Sequence, residues 1–433
     1  MGIPYYFASL IRAHKNLTSH AKGLVPDILA IDFNCLIHQY LQDDSPIESV
    51  IQAMKQIVND ICTPRKHLFI AMDGLVPYAK MVQQRYRRFR ISEQAVFDRN
   101  QISPCTPYMK SLEAAVRVAF PNAIVSATDV PGEGEHKLFT WLKTLPPQTR
   151  RSIVVYGLDA DLILLCLSQK DLSYTGCFSL LRENTAFHSK EGGFTSLNVW
   201  KLAETIEIPV PQYIAMCVLC FGNDFMPALG MFSLREDGHS RALSYVKKLG
   251  VDMTTREGRA KFLKHAAAHE TAELTVKIKK RNLVFEMMVL GNLVPRYATH
   301  VLECQDAEKI SSAFWKTFQW TLAYFTTNEV PDWEWVYPYR DAPLIQTLSA
   351  ERTFVMDSSC NYSVTNQLQF ILPSRSLRVC KKLVKFADEY YEEKDIPVPW
   401  MKKFPWEGKP RVSLPWSPTP NASPVIHDFG GVA

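Results

Sequence analysis

The chain has 433 residues, 47% of them hydrophobic and 21% charged, so it can bury a sizeable core and lacks the composition of a disordered protein. Its net charge of +5 is too mild to mark a nucleic-acid binder by itself. The longest apolar runs, 153–156 and 162–167, are too short to span a bilayer, and "MGIPYYF" lacks the basic start and apolar core of a secretory signal, so no membrane association is expected.

In chain order, "DILAIDF" is a buried apolar run that ends in an acid, Asp32. "HLFIAMDG" repeats that form and ends at Asp73. Each reads as a strand covered on both faces. A helix is predicted over 80–97. Its start, "KMVQQRYRRFR", carries Lys80, Arg85, Arg87, Arg88 and Arg90 with no acid among them. Lys80, Gln84, Arg87 and Arg88 fall at i, i+4, i+7 and i+8, one helix face. Three cations and an amide on one face can cradle a phosphate.

A further helix is predicted over 108–120. "AIVSATDV" then leads into "DVPGEGEHK", where Glu133 and Glu135 stand among Pro131, Gly132 and Gly134. The glycines permit a tight turn, and acids at the start of a helix over 135–142 are favoured by its dipole. "SIVVYGLDAD" ends at Asp159 and Asp161. Asp224 follows the apolar run "YIAMCVLCFGN", whose Cys217 and Cys220 read as core-facing thiols rather than half a zinc site. The ten cysteines follow no framework spacing. A reducing intracellular compartment is expected, the cytoplasm before the nucleus.

Strands alternating with helices predict an α/β fold with a mostly parallel sheet. A mainly helical part, patterned from about 241 to 325, should pack against it. Ligands of such sheets bind at the carboxyl ends of the strands. Asp32, Asp73, Glu133, Glu135, Asp159 and Asp161 all stand at or beyond such ends, with Asp224 expected beside them. Seven carboxylates at one edge must be protonated or neutralised by cations. Oxygen ligands select Mg²⁺ or Mn²⁺. Two such ions about 4 Å apart can activate a water and stabilise the leaving oxygen of a phosphodiester.

At these residues the sequence resembles the XRN family of eukaryotic 5′→3′ exoribonucleases. The matching blocks come in the family's order: "MGIPYYF", "IDFNCLIH", "MDGLVPYAKMVQQRYRRFR", "SPCTPYM", "DVPGEGEHK", "YGLDADLILL" and "CFGNDFMP". Weaker echoes are "WTLAYF", "DWEWVYPYRDAP" and "KKFPWEGKPRVSLP". The resemblance implies a nuclease fold related to the PIN and flap-endonuclease class. It also implies Mg²⁺-dependent degradation of single-stranded RNA bearing a 5′ monophosphate, by a monomer. Carried over by position, the seven acids are metal ligands, and Lys80, Gln84, Arg87 and Arg88 form the 5′-phosphate pocket. His38 stacks on the terminal base opposite Trp333 or Trp335, between which the motif does not choose. The chain departs from the family at "YRDAP", with Arg340 and Asp341.

The expected organisation is a nuclease domain over 1–235, a helical and aromatic-rich part over 236–413 closing the site, and a disordered tail over 414–433. This compact form resembles enzymes encoded by large DNA viruses. Two other readings stay open: a structure-specific or single-stranded DNA nuclease on the same sheet, and an RNA-binding protein without catalysis.

Overall fold

A computed structural model describes residues 2–3, 5–88, 96–169, 176–184, 193–281, 293–298, 302, 304–339, 341–373 and 376. The expected tail over 414–433, Arg340 and the predicted helical stretch 89–95 lie outside the described residues.

Seven strands form one sheet: β1 (Thr18–His20), β2 (Ile28–Asp32), β3 (His67–Ala71), β4 (Ile124–Ser126), β5 (Ser152–Tyr156), β6 (Cys177–Glu183) and β7 (Phe194–Asn198). Their order is β1-β7-β6-β5-β2-β3-β4. The pairings among β4, β3, β2, β5 and β6 are parallel, whereas β7 and β1 are antiparallel at one edge. The expected mostly parallel sheet is therefore present, with an antiparallel hairpin-like margin that the sequence patterns did not announce.

The helices are α1 (Tyr6–Ala13), α2 (Phe33–Tyr40), α3 (Glu48–Gln56), α4 (Tyr78–Arg88), α5 (Pro107–Ala119), α6 (Gly134–Thr144) and α7 (Leu162–Ser168). There follow α8 (Val199–Thr205), α9 (Val210–Phe221), α10 (Gly238–Leu249), α11 (Arg256–Arg281), α12 (Leu293–Tyr297), α13 (Ala307–Thr327) and α14 (Val364–Ile371).

The central strands are apolar throughout because both faces are covered. Ile28, Ala30, Phe69, Ala71, Ile153 and Val155 face one core, which includes α6, α7, α9 and α13. Leu29, Ile31, Leu68, Ile70, Val154 and Tyr156 face the other, beneath α2, α3 and α5. The alternation of strand side chains sends neighbours to opposite cores. The first core takes residues from Ile3 to Leu372, so the helical second half is packed onto the sheet.

The apolar run before Asp224 is α9, a helix buried on every side, including Cys217 and Cys220. A helix apolar all round belongs in a core. No single helix among the described residues is long and apolar enough to cross a membrane; only α8 and α9 taken together, bent by 87°, would pass on composition.

Candidate active site

Register brings the first acids together. Asp32 pairs across with Ala71, and Ile31 with Tyr156, so β2, β3 and β5 end level. Asp73 lies two residues past the end of β3, and Asp159 three past the end of β5. The loop after β3 is joined to the glycine-rich stretch by Gly74 N–H to Gly132 O at 2.9 Å and Gly132 N–H to Leu75 O at 2.7 Å. A Cβ on Gly74 would lie 2.0 Å from Val130 O, so only glycine permits that approach. At the first residue of α6, Gly134 N–H donates to Asp73 Oδ1 at 2.7 Å. A Cβ there would press Asp32 Oδ1 and Ala71 O, both 3.1 Å away. The bare backbone around Glu133 and Glu135 thus lets the helix start against two other acids.

Asp161 caps α7 by accepting from Leu162 N–H at 3.1 Å. Asp224 follows α9 after Gly222, whose φ of +65° suits glycine. It reaches the cluster through cations: Lys80 Nζ is 3.2 Å from Asp224 Oδ2 and 2.5 Å from Glu133 Oε2, and Arg87 Nη2 is 3.6 Å from Asp224 Oδ2. Asp32, Asp73, Glu133, Glu135 and Asp159 line a cavity of about 470 Å³ together with Lys80, Gln84, Arg87, Arg88 and His38. Asp161 and Asp224 do not line it.

Burial and like charges act together on these acids. Asp32 is raised well above the usual carboxylate range by burial, then by Asp73 and Asp159. Glu135 is raised likewise by burial, Asp161 and Glu133. Asp161 is pushed up to about 7 by burial, Asp159 and Asp224. Glu133 is raised by burial although Lys80 opposes it. Asp224 goes the other way: burial would raise it, but Lys80 and Arg87 hold it down. Lys80 itself is raised well above its ordinary value, because Glu133, Asp224 and Glu135 outweigh its burial. Lys80 therefore sits among the acids as well as beside the cavity.

The donor set fits a hard divalent cation. It is almost all carboxylate oxygen, crowded enough that several acids hold protons unless cations neutralise them. The exception is His136, whose ring nitrogen lies with oxygens of Glu133 and Glu135 inside a span of 4.8 Å. His136 is buried, and its ring stacks on Tyr324 at 3.9 Å between centroids. Burial pulls its pKa down to about 3, so it is neutral.

The aromatic side of the expected site is less complete. His38 lies on α2, exposed to the cavity. Its pKa is lowered to about 4 by the crowded cavity walls and by Arg88, Arg87 and Arg99. Neither Trp333 nor Trp335 lines this cavity. Trp335 Nε1 donates to Thr317 Oγ1 at 3.1 Å, and Lys316 Nζ covers its ring at 4.2 Å. Trp333 lies closer to the phosphate-side helix, since Tyr78 N–H at the start of α4 donates to Trp333 O at 2.9 Å.

Other residues had no signal of their own in the sequence. Asn34 holds Asp73 at both ends: Nδ2 donates to Asp73 Oδ2 and Asp73 N–H donates to Asn34 Oδ1, each at 3.1 Å. Arg99 lines the cavity. Tyr324 OH, on α13, donates to Glu133 Oε1 at 2.6 Å from 191 residues away.

Part of the sequence matches known proteins. The family model described as XRN 5′-3′ exonuclease N-terminus matches residues 1–95 and 91–184. Residues 1–184 are thus similar to the N-terminal part of the XRN 5′-3′ exonucleases. Among XRN relatives, 5′-3′ exoribonuclease 1 of Homo sapiens is 32% identical over 314 residues, 55% of this chain and 18% of that protein. The 5′-3′ exoribonuclease 2 of Arabidopsis thaliana is 28% identical over 330 residues, 52% of this chain and 32% of that protein. The chain thus spans about a third or less of the length of these XRN relatives. A solved structure of the catalytic core of Rad2 in complex with DNA substrate covers 87% of this chain and 99% of its own, at 12% identity and a TM-score of 0.40. The XRN match takes in six of the seven acids and all of α4; Asp224, Tyr324 and Trp333 lie beyond it.

Proposed function

We propose that the chain is a metal-dependent 5′→3′ exoribonuclease that degrades 5′-monophosphorylated RNA to mononucleotides. The observation that carries this reading is one cavity with Asp32, Asp73, Glu133, Glu135 and Asp159 on its wall beside Lys80, Gln84, Arg87 and Arg88. Acids without nearby cations would repel a nucleic acid; cations without acids would bind it and leave it intact. The similarity of residues 1–184 to the XRN 5′-3′ exonucleases supports the exonuclease class.

Asp32, Asp73, Glu133, Glu135, Asp159, Asp161 and Asp224 would hold two Mg²⁺ or Mn²⁺ ions. Such ions, when bound, lower the pKa of a coordinated water and stabilise a leaving oxygen. The chain's own residues do the rest. Arg87, Arg88 and Gln84 bind the terminal 5′ phosphate, with Lys80 bridging from that pocket to Glu133 and Asp224. Asn34 and the Gly134 N–H fix both oxygens of Asp73, so it is oriented before any ligand arrives. His38, neutral at physiological pH, offers its ring to the first base. Base stacking on an aromatic is worth about 1–3 kcal/mol. Trp333 is the better candidate for its partner, because Trp335 is already engaged by Thr317 and Lys316.

The test is incubation with end-labelled RNA carrying a 5′ triphosphate, monophosphate or hydroxyl, with and without EDTA. Mononucleotides should come from the monophosphate alone, and EDTA should abolish them. Equal or better cleavage of a matched 5′-phosphorylated DNA would replace the substrate; binding without cleavage under Mg²⁺ would leave only an RNA-binding role.

A further inference from the structure

A glutamine facing a phosphate must present its NH₂ group, since its carbonyl oxygen would repel the anion. The amide of Gln84 is set by a residue 283 positions away on α14. Val76 N–H donates to Gln367 Oε1 at 3.1 Å. A backbone N–H can only donate, so that end of Gln367 is its oxygen and the other end is its NH₂. Gln367 Nε2 in turn donates to Gln84 Oε1 at 3.1 Å. The oxygen of Gln84 is thereby occupied and turned inward. Its Nε2 has no hydrogen-bond partner among the described residues, although the side chain is only 5% exposed and lines the cavity beside Lys80, Arg87 and Arg88.

The element carrying Gln367 is held firmly. Ser363 and Asn366 form a reciprocal cap at the start of α14. Arg85 donates to Phe370 O, its guanidinium lies 5.0 Å from the Phe370 ring, and Tyr78 packs on the same ring at 5.3 Å. Gln367 is fully buried, so no water competes for its amide.

We propose that Gln367 is a specificity-determining positioning residue: through the relay from Val76 N–H it holds the NH₂ of Gln84 toward the cavity, so that the site prefers a 5′-phosphorylated end over a 5′-hydroxyl end. Gln367 touches neither end of the RNA. The inference rests on the proposed recognition of a 5′ phosphate by α4.

The experiment compares kcat/KM on two RNAs of one sequence, one with a 5′ monophosphate and one with a 5′ hydroxyl. The proteins are the wild type, Gln367→Met, Gln367→Leu, Gln84→Met and the double variant Gln84→Met/Gln367→Met. The ratio of the two kcat/KM values does not depend on how much of a preparation is folded, so lost stability does not blur it. Without Gln367 the amide of Gln84 is free to turn, and the ratio should fall about tenfold, the worth of one hydrogen bond to a charged group. With Gln84 already replaced, removing Gln367 should leave the ratio where it was. Equal losses on both RNAs in Gln367→Met and Gln367→Leu would overturn the inference, as would a further fall of the ratio in the double variant. A wild type with no preference for the phosphate would instead refute the phosphate reading of α4, and this inference with it.

Discussion

Lys80 Nζ lies 2.5 Å from Glu133 Oε2, and both side chains are almost wholly buried. The pair ties the helix of the basic run to the glycine-rich loop at the point where the carboxylates converge. Breaking a buried pair by removing one partner costs about 3–5 kcal/mol, because a charge is left without compensation. Lys80→Met should therefore lower the melting temperature markedly in EDTA. Mg²⁺ should restore more stability to this variant than to the wild type, since it replaces the missing positive charge. Thermal melts of both proteins with EDTA and with Mg²⁺ measure this; equal Mg²⁺ responses would place the acids elsewhere than around a cation site.

The pH dependence has a definite sign. Asp161 holds its proton in the folded chain up to about pH 7, against about 3.9 for an ordinary aspartate. A raised pKa means that the folded chain binds more protons than the unfolded one across that window. Its contribution to stability is complete below about pH 4, is lost as pH rises through 7, and changes no further above it. Metal binding requires the deprotonated acids. Without metal this group should cost the protein stability progressively between about pH 4 and pH 7, and the rise in melting temperature on adding Mg²⁺ should be larger at pH 8 than at pH 6. A Mg²⁺ response independent of pH would contradict the raised pKa.

Tyr324 links the second half of the chain to the site. Its hydroxyl donates to Glu133 Oε1 at 2.6 Å while its ring stacks on His136. Tyr324→Phe keeps the ring and removes the donor, leaving a buried carboxylate oxygen unpaired at a cost of about 1–3 kcal/mol. The variant should melt lower and need more Mg²⁺ for half-maximal nucleotide release, which a metal titration of the nuclease assay would detect.

Asp159→Asn together with Asp161→Asn separates chemistry from fold. The amide side chain introduced by Asp161→Asn would still offer an oxygen to Leu162 N–H, so the cap of α7 survives. In EDTA the double variant should still fold and melt cooperatively: Asp161→Asn removes an acid whose charge is disfavoured there, while Asp159→Asn gives up the attraction of Arg87 and Lys80 that, against burial, helps hold the Asp159 carboxyl low. Its hydrolysis of 5′-monophosphorylated RNA should fall by more than the about 10–100-fold typical of losing an outer-shell partner. Retained hydrolysis would remove these two acids from the mechanism.

The sequence by itself determined the α/β class, the strands that end in Asp32 and Asp73, the core-facing thiols and the basic face of α4. Each of these is written in local periodicity: apolar runs mark strands covered on both faces, and a 3.6-residue period marks a helix face. It also located the acids, since carboxylates at strand ends are visible one motif at a time. It did not announce the antiparallel margin of β1 and β7, and it could not tell that Lys80 reaches inward to Glu133 and Asp224. Nor could it place Trp333 and Trp335 off the cavity wall.

Only the tertiary structure decided which side chains complete the site from afar. Tyr324 meets Glu133 across 191 positions, and Gln367 meets Gln84 across 283. Such contacts follow from how α13 and α14 pack on the sheet and on α4, a property of the whole core. The direction of a buried amide or hydroxyl depends on the donor or acceptor it meets there, and no spacing within a motif encodes that partner.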